Sequence, residues 1–119
     1  MDVPIMRELT WLGDTKKKIR SFPVGAKKHI GDELQFIQFG KIPQDTKPFK
    51  GVGSGVFEIV TDFNTNTYRT VVAVQIGTSI YVLHAFMKKS KKGIATPKQD
   101  VDLIKQRLVE AKQIEKNKE

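Results

Sequence analysis

Arg69, His84 and the lysines that follow are the residues of this chain best suited to chemistry on a phosphate. Arginine can bind a phosphate through two hydrogen bonds, and histidine exchanges protons near neutral pH. Lys88 and Lys89 end a strand-like segment that carries His84. A lysine base needs a pKa below its ordinary value of about 10.4, and crowded neighbouring cations lower it. These residue types suit the binding of a polyanion or the cleavage of a phosphodiester.

A predicted β-hairpin brings these residues to one surface. Residues 68–76 and 80–87 have the composition of strands, and Gly77-Thr78 is the expected two-residue turn. Antiparallel pairing then makes Arg69 and His84 near-diagonal neighbours on one face, whereas a three-residue turn would separate them. The expected opposite pairs are Thr67 with Lys88, Arg69 with Phe86, and Val71 with His84. We expect this face to be open and concave, and the more apolar face, with Tyr81 and Leu83, to pack on helices.

The elements before the hairpin are predicted to be a short strand, two helices, a linker and a further strand. The first strand covers residues 7–11, and Asp14 or Thr15 is expected to cap the first helix. Pro23 separates the two helices, and Gly40 ends the second. Residues 41–55, with several Pro and Gly, are predicted to be a linker. The strand at residues 56–61 follows.

The final segment is predicted to be a helix that begins with a capping box at Thr96-Pro97-Lys98-Gln99. Its tail, about residues 112–119, is expected to fray. The order β-α-α-β-β-β-α predicts an α+β fold in which the helical hairpin and the C-terminal helix pack on one face of a small, mainly antiparallel sheet. The length of 119 residues predicts a single domain, residues 1–119.

Composition limits the classes of partner. The 21 Lys and Arg residues against 13 Asp and Glu give a formal net charge of +8. Such an excess favours RNA, DNA, an acidic protein or an anionic membrane surface. No segment combines a broad apolar face with a basic one, or has the length of a membrane span, so we expect no membrane partner. The lack of cysteine excludes disulfides and thiolate chemistry and fits a cytoplasmic location.

No metal or cofactor is expected from the sequence. His29 and His84 lie far apart and no cysteine accompanies them, which is a poor basis for a transition-metal site. The glycines of residues 51–55 lack the spacing of a phosphate-binding loop.

Each candidate residue also has a purely structural interpretation. Arg69 can pair with Glu58 on the adjacent strand, and His84 can be a half-buried core histidine. The lysines of residues 88–92 can form a solvated loop, although four cations in five residues beside a sheet edge favour binding.

Five segments carry a family resemblance: Trp11-Leu12-Gly13-Asp14 with the lysine-rich helix after it, Phe22-Pro23, residues 47–58, Tyr68-Arg69 and residues 81–90. Together they resemble a phage-type toxin of the HigB-like branch of the RelE/ParE superfamily. The likeness covers most of residues 7–110. It implies the RelE-like α+β fold and a toxin of a type II toxin–antitoxin pair, whose cognate partner is a helix-turn-helix antitoxin.

The resemblance also implies a reaction. Many such toxins cut messenger RNA in the ribosome, without a cofactor, by activating the ribose 2′-hydroxyl and protonating the 5′-oxygen. By position, Arg69 corresponds to the phosphate-binding arginine, and Lys88 or Lys89 to the basic residue at the end of the last strand. His84 is a candidate acid or base by its chemistry alone. Lys50, Lys91 and Lys92 are then expected to attract the ribosome and its message.

The chain departs from RelE proper at two points. Glu58 is the one charged residue of the strand where RelE has lysines, and residues 88–119 lack the tyrosine that RelE can stack on a base. A non-enzymatic, gyrase-binding toxin of the ParE kind and a nucleic-acid-binding phage accessory protein are the alternatives to a ribosome-dependent endonuclease. The polar set of Arg69, His84 and Lys88 or Lys89 favours the endonuclease, because a gyrase binder needs no such set.

Overall fold

The described residues, 5–89 and 96–118, form three helices and a five-stranded mixed sheet in a computed structural model of the chain. The elements are β1 (Leu9–Trp11), α1 (Thr15–Arg20), α2 (Val24–Gln38), β2 (Thr46–Pro48), β3 (Val56–Phe63), β4 (Asn66–Ala73), β5 (Ile80–Lys89) and α3 (Lys98–Lys116). The strand order is β1-β5-β4-β3-β2. β1 is parallel to β5 and all other neighbours are antiparallel, which confirms the predicted α+β class.

The predicted linker contains an edge strand. β2 pairs antiparallel with β3 and sets Lys47 opposite Glu58. Pro48 ends it after three residues, and an edge strand tolerates proline because its outer side needs no N–H donor. So short a strand contains one proline, follows another at Pro43 and precedes several glycines, and it lacks the alternating pattern from which strands are predicted.

The hairpin of β4 and β5 has the predicted register in its outer half only. The pairs Thr67 with Lys88, Arg69 with Phe86 and Val71 with His84 are confirmed. One pair further the register shifts, and Val72 lies opposite Val82, so that β5 has one extra residue at Leu83. β4 also ends at Ala73, and the connection to β5 is longer than the predicted two-residue turn.

Helices cover both faces of the sheet, and the prediction of a single helical face was wrong. α1 and α2 pack on one face through Ile19, Ile30, Leu34 and Ile37, against Ile59, Val72, Val82 and Ala85. α3 packs on the other through Ile104, Leu108 and Ala111, against Val71, Ala73, Tyr81 and Leu83. The bulge brings Tyr81 and Leu83 to the face that was predicted to be open, and this apolar surface is what α3 buries.

The helix ends differ in part from the sequence-based prediction. Gly40, with φ +86°, follows the end of α2 as predicted. α3 has no capping box, because Pro97 is its N-cap residue and no side chain caps it. The helix continues past residue 112 to Lys116, and the Tyr81 hydroxyl donates to Glu115 Oε1 at 2.9 Å. None of the described helices has the length and apolar character of a membrane-spanning segment.

Arg107 joins α3 to the bulge and to the start of α1. Its Nη1 donates to the Leu83 carbonyl oxygen at 2.9 Å, and its Nη2 donates to Asp14 Oδ1 at 3.1 Å. The Asp14 carboxylate thus accepts from Arg107 and makes no capping hydrogen bond to α1. The Arg107 side chain is 11% exposed, and its packed methylene stem and its charged hydrogen bond to the bulge carbonyl together stabilise the α3 layer.

We expect Arg107→Ala to lower the free energy of unfolding by about 2–3 kcal/mol, because the bulge carbonyl loses its donor and the packed stem is removed. Arg20→Ala, which changes an exposed arginine of α1, is the matched control and should stay within about 0.5 kcal/mol of the parent. Urea denaturation followed by circular dichroism measures both. Equal losses in the two variants would show that Arg107 does not hold α3.

Candidate functional site

A groove of about 500 Å³ opens between β2, β3 and the start of α3. Its lining residues are Lys47, Pro48, Phe49, Lys50, Glu58, Thr96 and Val101. The lining combines an apolar floor with two lysines and one carboxylate. It lies on the face of the sheet that α3 covers in part, because Glu58 shares that face with Val71, its partner on β4.

Glu58 and Arg69 form a charged pair next to the groove. Arg69 Nη1 donates to Glu58 Oε1 at 2.8 Å, and Lys47 Nζ lies 3.7 Å from the same oxygen. Glu58 is buried, with 6% of its surface exposed. Glu58 Oε2 and Arg69 Nε are buried and make no hydrogen bond within the described residues. Arg69 therefore does pair with Glu58, as its structural interpretation predicted. The pair also holds the guanidinium in one orientation.

Lys88 extends this charged set along β5. It lies two residues beyond Phe86, the partner of Arg69, and so points to the same face as Arg69. Burial lowers the pKa of Lys88 below its ordinary value, the positive charge of Arg69 lowers it further, and Glu58 opposes the shift. The direction is the one expected from the sequence. Among the described residues, the causes are burial and the charge of Arg69.

His84 lies apart from the groove, beneath the first turn of α3. Its side chain is 1% exposed, and its Nε2 lies 2.7 Å from Asp100 Oδ1. The ring stacks on Phe86 with the ring centroids 5.1 Å apart. Burial is the main cause that lowers the pKa of His84, and the hydrogen bond to Asp100 opposes it. In this conformation the ring is a core histidine, so an acid or base role for His84 requires α3 to move.

The remaining predicted site residues divide into three groups. Lys50 lines the groove. Lys89 is the last residue of β5, opposite Asn66. Lys91 and Lys92 lie outside the described residues, so their predicted role has no structural counterpart here.

Sequence reasoning named Glu58 as a pairing partner and as a departure from RelE, and it gave Lys47 no role at the site. The signal for Glu58 was available, because a single charge in an apolar strand has to be compensated or used. The signal for Lys47 was weaker, because its position opposite Glu58 depends on recognising β2. The groove and its border carry Lys47, Lys50, Arg69 and Lys88, with Glu58 in the lining and Asp62 further along β3 on the same face. This local excess of positive charge attracts anions.

A comparison with protein families identifies the family of the chain. Residues 17–109 match the family of phage-derived Gp49-like proteins (DUF891). The matched stretch begins in α1, ends in α3 and includes all the charged residues of the groove and its border. The chain matches none of the curated proteins and none of the solved structures.

The buried imidazole of His84 makes the stability dependent on pH. Because its pKa in the folded protein is below 6.5, the unfolded chain takes up the proton first as the pH falls. The contribution of neutral His84 to the free energy of unfolding is therefore fully present above about pH 6.5, and it declines as the pH falls toward the folded-state pKa. Within the part of the chain that the structure describes, Asp100, Lys18 and Arg107 are the charged groups that act on the ring.

We expect the free energy of unfolding to fall between pH 7.5 and 5.5, by no more than about 1.4 kcal/mol per pH unit for one proton. In His84→Gln the slope should be smaller, because the amide can still donate to Asp100 but does not titrate. Urea denaturation at several pH values above 5, where most carboxylates stay ionised, measures both slopes. Identical slopes would show that His84 is not the group responsible.

Proposed function

We propose that this chain, which belongs to the Gp49-like family of phage-derived proteins, is the toxin of a type II toxin–antitoxin pair and cleaves messenger RNA on the ribosome. The family is of the RelE/toxin-like type. A HigB-like toxin of this kind has a helix-turn-helix antitoxin as its partner and acts on the ribosome-bound message. The proposal on RNA cleavage depends on the groove and not on the family alone.

The observation that carries the proposal is the preorganised Arg69 beside a lysine whose pKa is lowered. Glu58 holds the guanidinium at 2.8 Å, so little side-chain freedom is lost when a phosphate binds. Preorganised donors stabilise charge that develops in a transition state far better than mobile ones do. Lys47 and Lys50 add positive potential along the groove, which suits the backbone of a single RNA strand.

These residues can perform the chemistry of RNA cleavage without a metal ion. The 2′-oxygen attacks the adjacent phosphorus, and the bond from phosphorus to the 5′-oxygen breaks, which gives a cyclic phosphate and a free 5′-hydroxyl. Glu58 accepts the proton from the 2′-hydroxyl, and for this step its Oε2, which is buried at the groove, must become exposed when the RNA strand binds. Arg69 stabilises the charged phosphorane, and Lys88, with its lowered pKa, donates a proton to the leaving oxygen.

Arg69→Lys tests the phosphate contact with little effect on the fold. Lysine can still pair with Glu58, but it lacks the planar guanidinium that binds a phosphate through two hydrogen bonds. We expect growth arrest by the parent chain, and about a hundred-fold slower cleavage by Arg69→Lys on programmed ribosomes. Thermal melts confirm that the variant is folded, and Arg20→Ala controls for the loss of an arginine.

Parental cleavage by Arg69→Lys would refute the assignment of Arg69. Growth arrest without cleavage of the message, on or off the ribosome, would refute the endonuclease and favour a non-enzymatic toxin such as a gyrase binder.

Lys50 and Lys88 are expected to contribute to different steps. Lys50→Ala should weaken association with ribosomes and make it less dependent on salt, because roughly one counterion fewer is released on binding. The cleavage rate in the bound complex should barely change. Lys88→Ala should lower that single-turnover rate with little loss of affinity, because its proton is needed only in the transition state. Lys28→Ala, an exposed lysine of α2 on the other side of the sheet, is the control for lost charge. Equal loss of affinity in Lys50→Ala and Lys88→Ala, with no change in rate, would assign binding and not catalysis to this face.

A further inference from the structure

Three metal-ligating side chains meet on the face of the sheet opposite the groove. His29 and Glu33 are one turn apart on α2, and Asp45 lies just before β2. One ligand atom from each residue lies within 4.8 Å of the others. The cluster lies on the α2 face because Thr61, which His29 contacts, alternates with Glu58 along β3 and points to the other side.

Glu33 is a buried carboxylate with which no lysine or arginine of the described residues is paired. It is 7% exposed, and its Oε1 accepts from the Asp45 backbone N–H at 3.0 Å and from Thr46 Oγ1 at 3.4 Å. Among the described residues, neither Glu33 nor Asp45 forms an ion pair with a lysine or arginine. A buried carboxylate normally has a paired cation or a metal ion. This contrasts with Glu58, where Arg69 and Lys47 supply the compensation.

His29 is oriented as a metal-binding histidine is. Its Nε2 faces Asp45 Oδ2 at 2.7 Å, and its Nδ1 lies 2.7 Å from Thr61 Oγ1. Thr61 is 2% exposed and belongs to the rigid strand β3. Because a hydroxyl can donate or accept, Thr61 can hold the ring both when Nε2 carries a proton and when Nε2 binds a metal. A hydrogen bond of this kind to the second ring nitrogen is typical of metal-ligating histidines.

We propose that His29 Nε2, Glu33 and Asp45 bind a divalent transition-metal ion such as Zn²⁺. One imidazole with two carboxylates is a donor set that zinc accepts, with bonds of about 2.0–2.2 Å. Such bonds bring ligand atoms to roughly 3–4 Å from one another, so the side chains need only small adjustments from their present positions. Asp45 and His29 are 50% and 30% exposed, which leaves room for that adjustment and for a water ligand.

The ion would link the segment before the edge strand β2 to helix α2. Asp45 leads directly into β2, and β2 carries Lys47 into the groove on the other face. Binding would thus stabilise the segment before β2 without entering the groove. The inference is independent of RNA cleavage, since the cluster and the groove share no side chain. The sequence-based expectation of no metal site considered only histidine and cysteine and did not bring the two carboxylates to His29.

The test is isothermal titration of the purified chain, first freed of metal with EDTA, with Zn²⁺. We expect one ion per chain and a rise in melting temperature of about 5 °C at saturation. Asp45→Asn and His29→Gln should bind at least ten-fold more weakly. Asp32→Asn removes a carboxylate of the same helix that pairs with Lys28, and it should bind as the parent does. His84→Gln is the second control, because it removes the other histidine.

Nuclear magnetic resonance of the parent chain detects zinc binding at His29 directly, so its result does not depend on whether a variant folds. The imidazole signals of His29 should shift on addition of Zn²⁺, while those of His84 remain in place. Absence of saturable binding would overturn the proposal. So would binding that persists in Asp45→Asn and His29→Gln, or that leaves the His29 signals unchanged.

Discussion

The register shift in β5 is the constraint on which the two-sided architecture depends. Opposite Val71 and Val72, β5 has one extra residue, so the inner half of the hairpin turns Tyr81 and Leu83 toward α3. An apolar surface of that kind must be buried, and α3 buries it. Arg107 then satisfies the carbonyl oxygen of Leu83 and joins α3 to the loop before α1. The start of α3 borders the groove beside β2, where Thr96 and Val101 belong to the lining.

Two buried carboxylates on opposite faces show how this basic chain handles negative charge. Glu58 is compensated by Arg69 and Lys47, and this compensation is what keeps a guanidinium at the groove. Within residues 5–89 and 96–118, Glu33 accepts hydrogen bonds from neutral groups only, and the nearby ionisable groups of its cluster are His29 and Asp45. The difference in partners favours an anionic ligand at the first site and a cation at the second. A single sheet thereby separates two kinds of binding chemistry.

His84 shows why residue type alone does not establish a catalytic role. The register that sets it opposite Val71 was predictable, and it does share a face with Arg69. Burial was not predictable, because it results from α3, whose first turn brings Asp100 to the ring. For Lys88, in contrast, the structure agrees with the direction of the predicted pKa shift. Its pKa is lowered as expected, and among the described residues this results from burial and from Arg69, both of which are properties of the folded sheet.

The sequence by itself determined the elements whose signals are local. Alternating and helical spacing predicted the hairpin strands and the helices, and turn chemistry predicted the breaks at Pro23 and Gly40. The net charge of +8 indicated an acidic partner. Only the tertiary structure decided the bulge, the second helical face, β2, and the meeting of Glu33 with Asp45. Each of these depends on contacts between residues distant in the chain, where burial and pairing outweigh local preference.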